Sequence, residues 1–95
     1  MSKIIVEATP TACGIEVTPL NRHWAQRFAK HVRRFTGHYD ESIFFQDGGP
    51  LQEFLEMDVP PRHRRALEQG HSVAFKADPW TVGHWYGWDA HTVAE

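Results

Sequence analysis

A helical repeat in the second quarter of the chain constrains the fold most strongly. Apolar or ring-bearing side chains recur every three or four positions, at Leu20, Trp24, Phe28, His31 or Val32, and Phe35. This spacing places the side chains on one face of a helix and predicts an amphipathic α-helix of about 17 residues. Thr18 with Pro19 at the first helical position, or Asn21 slightly later, can cap its start, and Gly37 is the expected stop. We expect this helix to be the main packing element.

Two segments rich in β-branched residues precede the helix, and their pattern predicts strands. They are residues 3–8 (KIIVEA) and 14–18 (GIEVT), where apolar and polar positions alternate. The intervening residues include Pro10 and Gly14, which favour a turn. A β-hairpin is the simpler interpretation, and one bent strand is the alternative.

After the long helix the pattern is shorter and more broken. Residues 43–46 (IFFQ) predict a short strand, and Pro50 suits the start of a short helix that must end before Pro60. A third helix follows, with Asp58 as its cap and Gly70 as its stop.

The C-terminal quarter has the alternation of a hairpin. Val73 and Phe75 alternate with polar or small residues before Asp78 and Pro79, and residues 82–86 form a second aromatic-rich run. A further short run spans 91–94. We therefore predict one α+β domain over residues 1–95, with an antiparallel sheet of about four to five strands packed on one long amphipathic helix plus two short helices.

Charge is distributed in blocks, although the formal net charge is only -2. The long helix carries five basic residues and no acid, residues 40–58 carry six acids and no base, and a second basic group lies at 62–65. The five are Arg22, Arg27, Lys30, Arg33 and Arg34. They form either a contact face for phosphates or an acidic protein, or a solvated face that the acidic stretch neutralises within the fold or across a dimer. Complementary blocks favour self-association, so we predict a homodimer.

The C-terminal aromatic group is the densest feature of the chain. Residues 80–89 contain three Trp, one Tyr and one His. In a strand, one face would pack on the long helix through Trp24 and Phe28, and the other would leave Trp85 and Trp88 near the surface. Such rings build either the core of a small domain or an exposed surface for a protein, for a sugar or small ligand, or for stacked bases. A protein interface is favoured among these uses, because Trp, Tyr and Arg are enriched at binding hot spots.

Catalytic and metal-binding patterns are weak. The seven histidines include no pair spaced i and i+4 on a helix, and the single cysteine, Cys13, excludes a disulfide framework. No nucleophile elbow, phosphate loop or dinucleotide fingerprint occurs. We predict no metal and no cofactor. No apolar run is long enough to span a membrane and no signal peptide is evident, which predicts a cytoplasmic protein without a membrane partner.

These patterns lead to one leading hypothesis and two alternatives. The first is a small non-enzymatic, inhibitor-like binding protein that engages a macromolecule, most simply another protein. The predicted partner-binding residues are Arg22, Lys30, Arg33, Arg34, Trp85, Tyr86 and Trp88. The second hypothesis is a nucleic-acid-binding protein that uses the basic helix. The third is a small metal-assisted or acid-base enzyme.

Overall fold

The computed structural model describes residues 3–88, and within that range the chain forms an α+β fold of four strands and four helices. The strands are β1 (Ile4–Thr11), β2 (Gly14–Pro19), β3 (Ile43–Gln46) and β4 (Val73–Ala77). The helices are α1 (Arg22–Thr36), α2 (Gly49–Glu53), α3 (Pro61–Glu68) and α4 (Pro79–Trp85), and a π-helical segment, Phe54–Asp58, continues α2. The predicted α+β class, with its antiparallel sheet and long helix, is confirmed.

The sheet has the order β3-β2-β1-β4, and every neighbouring pair is antiparallel. β1 and β2 form the predicted hairpin, with Ala8 opposite Val17, so the bent-strand alternative is wrong. β4 lies on the other side of β1, with Phe75 opposite Val6. The two strands that follow helices therefore form the two edges of the sheet.

One face of the sheet is buried and the other is exposed. In β1, the side chains of Ile4, Val6 and Ala8 are buried while those of Ile5 and Glu7 are exposed. The same alternation continues in β2 and β4. α1 packs against β2, and α3 packs against β1 and β4. The core therefore lies between the helices and the buried face of the sheet.

The start of α1 is fixed by a contact to the sheet. Asn21 is the N-cap, and its Oδ1 accepts a hydrogen bond from the Ile5 backbone N–H at 2.6 Å. Pro19 remains in β2, so the helix starts at the later of the two predicted positions and Thr18 is not its cap. At the other end, Gly37 adopts a left-handed conformation (φ 79°) and its N–H bonds the Arg33 carbonyl at 2.9 Å. Glycine adopts this conformation without steric cost, and it ends the helix as predicted.

The short helices are held together by a side chain that binds backbone carbonyls. The Val59 N–H bonds the Phe54 carbonyl at 3.2 Å and closes the π-helical turn. Arg64 then donates from Nε to the Leu55 carbonyl at 2.9 Å and from Nη2 to the Glu56 carbonyl at 3.2 Å. The carbonyl groups at the end of a π-helical turn have no hydrogen-bond donor within the helix, and the Arg64 guanidinium donates to two of them.

Two sequence predictions in this half of the chain are wrong. Asp58 does not cap α3, because Pro60 occupies the N-cap position and the Asp58 carboxylate binds elsewhere. Residues 82–86 are not a strand, because α4 runs from Pro79 to Trp85. The Asp78-Pro79 pair, which we interpreted as a turn, starts this helix, where proline suits the first turn. The predicted run at 91–94 lies outside the described residues.

Candidate binding surface

The C-terminal aromatic group packs mainly inward because α4 lies on the helical side of the sheet. Tyr86, at the C-cap of α4, is 8% exposed, and its ring stacks on Phe28 of α1 with centroids 4.9 Å apart. Trp85 is half-buried against Phe54, with centroids 5.1 Å apart. Its indole Nε1 donates to Asp58 Oδ2 at 2.9 Å. These two predicted partner-binding rings therefore hold α4 on the core.

The Tyr86 hydroxyl also holds the chain between α1 and β3. It donates to the Glu41 carbonyl oxygen at 2.6 Å. Burial raises the pKa of this phenol well above its usual value of 10.0, and the nearby Glu41 charge raises it further. The hydroxyl therefore stays protonated and remains a donor throughout the neutral range.

Replacing Tyr86 by Phe removes this hydrogen bond with little change in shape. We expect the free energy of unfolding to fall by about 1 kcal/mol, the usual net value of one such bond. Because the phenol pKa is raised in the folded state, its ionisation favours unfolding once the pH exceeds the unfolded value near 10. Urea unfolding of both proteins from pH 7 to pH 11 should show wild-type stability falling above about pH 10, with a smaller fall for Tyr86→Phe. Parallel falls in the two proteins would contradict the assignment.

Trp88 lies at the border between the core and the exposed side of α1. Its ring packs edge-on against Phe28 at 5.9 Å and stacks on the His31 imidazole at 4.5 Å. The Arg27 guanidinium carbon lies 5.0 Å from the Trp88 ring centroid and 5.0 Å from that of Trp24. This cation-π arrangement fixes the Arg27 side chain along one edge of the helix.

The remaining basic residues of α1 share one exposed face. Each residue of an α-helix rotates by about 100°, so Arg22, Lys30, Arg33 and Arg34 fall within an arc of about 120°. All four side chains are exposed. They extend over about 18 Å of helix axis, because each residue rises by about 1.5 Å. We call these four residues the basic face.

The acidic stretch does not neutralise the basic face within the described part of the chain. There, the ion pair that forms joins Lys3 Nζ to Asp78 Oδ1 at 2.7 Å, and neither residue belongs to either block. None of the four cations has a carboxylate partner among residues 3–88. Among the described residues, the basic face is therefore solvated and makes no ion pair with the acidic stretch.

Large apolar side chains are exposed at both ends of α1. Leu20, just before α1, is 52% exposed, and Phe35, in its last turn, is 73% exposed. The helical period placed both residues on the predicted buried stripe, and the structure leaves them accessible. No separate sequence signal marks Phe35 as accessible, because its spacing fits the stripe that buries Phe28.

The structure thus sorts the predicted partner-binding residues into two groups. It brings Arg22, Lys30, Arg33 and Arg34 together on one accessible face. It places Trp85, Tyr86 and Trp88 against the core, with the Trp88 ring beside Arg27. Within residues 3–88 no three His, Cys, Asp or Glu side chains converge as a metal-binding group.

None of the helices within residues 3–88 has the length and apolar character needed to cross a bilayer. Comparison of the chain with protein-family models, with curated proteins and with solved structures finds no match.

Proposed function

We propose that this chain is a small non-enzymatic binding protein of the cytoplasm that engages an acidic protein partner through the basic face of α1. The observation that supports the proposal is the set of four exposed cations that have no carboxylate partner among the described residues. A row of positive side chains attracts an anionic partner and accelerates association. Such a surface would suit an inhibitor-like protein that covers a site on its partner.

An acidic protein is favoured over a nucleic acid for two reasons. Phe35 and Leu20 leave apolar area exposed at the two ends of α1, and aromatic residues together with Arg are enriched at protein interfaces. In addition, the chain as a whole has a net charge of -2, with a stretch of six acids at residues 40–58. A long polyanion would meet this negative charge outside the basic face, whereas a short acidic segment need not.

A second copy of the chain is one acidic protein that fits the proposal. The predicted homodimer would set the basic face of each copy against residues 40–58 of the other, which a two-fold axis allows. Sedimentation velocity at low salt distinguishes this partner from a different protein. A dimer that dissociates as ionic strength rises would identify the partner as a second copy.

Charge reversal on α1 tests the proposed surface. We would combine Lys30→Glu, Arg33→Glu and Arg34→Glu and measure binding of a fluorescent poly-L-glutamate probe by anisotropy at low salt. The matched control reverses three exposed basic residues elsewhere, Arg62, Arg65 and Lys76, and has the same net charge. We expect the α1 variant to bind at least about tenfold more weakly than wild type and the control to lose much less.

Two outcomes of the same experiment would contradict the proposal. Equal losses in the two variants would show that net charge, not the basic face, drives binding. Tighter binding to a DNA oligonucleotide than to poly-L-glutamate, with a steep log-log salt dependence, would favour the nucleic-acid alternative. Circular dichroism spectra of both variants should match that of wild type, which excludes misfolding as the cause.

A further inference from the structure

β3 has one edge that no other described strand pairs with. It lies at the end of the sheet order, and among residues 3–88 its strand neighbour is β2. Within residues 3–88 no backbone hydrogen bond links Ile43–Gln46 to any segment beyond that neighbour. An exposed row of N–H and C=O groups is a template for another extended chain.

A cleft of about 600 Å³ opens at the start of this strand. Residues of its wall include Glu16, Val32, Asp40, Ile43, Phe44 and Trp85. Phe44 and Glu16 belong to the exposed face of the sheet, where they lie opposite each other, whereas Ile43 belongs to the half-buried positions of β3. The first two residues of β3 therefore form part of the cleft wall.

The charge of the cleft selects its occupant. Glu16 and Asp40 are exposed at its wall, and none of the Lys or Arg residues that the structure describes lines it. Antiparallel pairing of β3 with β3 of a second copy would bring Asp40 and Glu41 of each copy close to Asp47 of the other, and like charges oppose that contact. A long side chain with an apolar stem and a cationic head suits a cleft with an apolar wall and acidic groups.

We propose that the free edge of β3 accepts an extended segment of a partner protein as a fifth strand, with a Lys or Arg side chain of that segment in the cleft. The backbone groups of β3 provide hydrogen bonds that do not depend on sequence, and the cleft provides selectivity for a basic residue. The stem of the bound side chain lies against Ile43 and Trp85, and its charged head lies near Glu16 and Asp40. This site lies on β3 and is separate from the basic face of α1.

Synthetic peptides test the proposal directly. The probe is a short capped peptide of alternating valine and lysine, and its matched control replaces each lysine by the neutral residue glutamine. A third peptide carries N-methyl groups on alternate backbone nitrogens and so lacks the donors that strand addition needs. We expect the lysine peptide to bind at least about tenfold more tightly than either of the others, and to protect β3 amides from hydrogen exchange.

Protein variants separate the cleft from general electrostatic attraction. The pair Glu16→Gln and Asp40→Asn should weaken binding of the lysine peptide by about tenfold. Glu68→Gln, a neutralised exposed carboxylate on α3, should leave binding unchanged. Equal binding of the N-methylated peptide, equal binding of the glutamine peptide, or an equal loss in the Glu68 variant would overturn the proposal. Thermal unfolding of each variant confirms that the loss arises in a folded protein.

Discussion

Replacing Phe28 by Ala is expected to destabilise the protein by about 3 to 5 kcal/mol, the usual cost of removing a buried aromatic ring. Phe28 has no exposed surface, and its ring stacks on Trp24 at 5.5 Å and on Tyr86 at 4.9 Å. The substitution would therefore remove the contact that joins α1 to α4. Because small domains are stable by only about 5 to 15 kcal/mol, the variant should unfold at much lower urea concentration.

Phe35→Ala is the matched control for this prediction. Phe35 lies on the same helix but is 73% exposed, so its truncation should change the free energy of unfolding by no more than about 0.5 kcal/mol. Equilibrium urea unfolding of the two variants provides the comparison. A loss in Phe35→Ala as large as that in Phe28→Ala would show that the packing of α1 described above is wrong.

Gly14→Ala is expected to disturb the β2–β3 pairing at its first position. Gly14 lies opposite Gln46, and a β-carbon there would fall far inside van der Waals contact with the Phe45 carbonyl oxygen. It would also lie 3.0 Å from Gln46 Cα. Because these are backbone atoms, β3 would have to move away from β2. Overpacking of this kind costs about 1 to 3 kcal/mol or more.

Gly49→Ala is the control for the effect of an added methyl group. Gly49 opens α2, and a β-carbon there would meet nothing within 4 Å. Its substitution should be neutral or stabilising by up to about 1 kcal/mol, since alanine restricts the unfolded chain. Thermal unfolding and amide hydrogen exchange in β3 would compare the two variants. Equal melting temperatures would contradict the close approach at Gly14.

The parts of the fold that the sequence predicted are those with long or unambiguous periodicity. α1 repeats over four turns, and β1 and β2 combine alternation with a clear turn, so both predictions are confirmed. The C-terminal run was misassigned because five residues fit both periods. Val82, His84 and Tyr86 alternate as in a strand, whereas the buried set of Pro79, Val82, Gly83 and Tyr86 follows a helix.

The sequence predicted only part of the candidate surface. The basic residues could be assigned to one helix face, because the period of α1 was clear. Whether residues 40–58 form ion pairs with them depends on how the tertiary structure places the two segments. The accessibility of Phe35 and the packing of Trp85 and Tyr86 also depend on neighbours distant in sequence. Periodicity therefore identified the elements, and long-range packing decided which side chains remain available to a partner.

The central claim is that the basic face of α1 binds an acidic protein. The most direct test places a photoreactive benzoylphenylalanine at Gln26, which lies among the four cations on the helix wheel, and crosslinks it in cells of the source organism. The same photoreactive amino acid at Gln69, exposed at the C-cap of α3, is the control. Mass spectrometry should identify an acidic protein joined at position 26 and not at 69, and the adduct should disappear when Lys30, Arg33 and Arg34 are changed to Glu. An adduct with nucleic acid, an adduct that survives charge reversal, or no adduct at position 26 would contradict the claim.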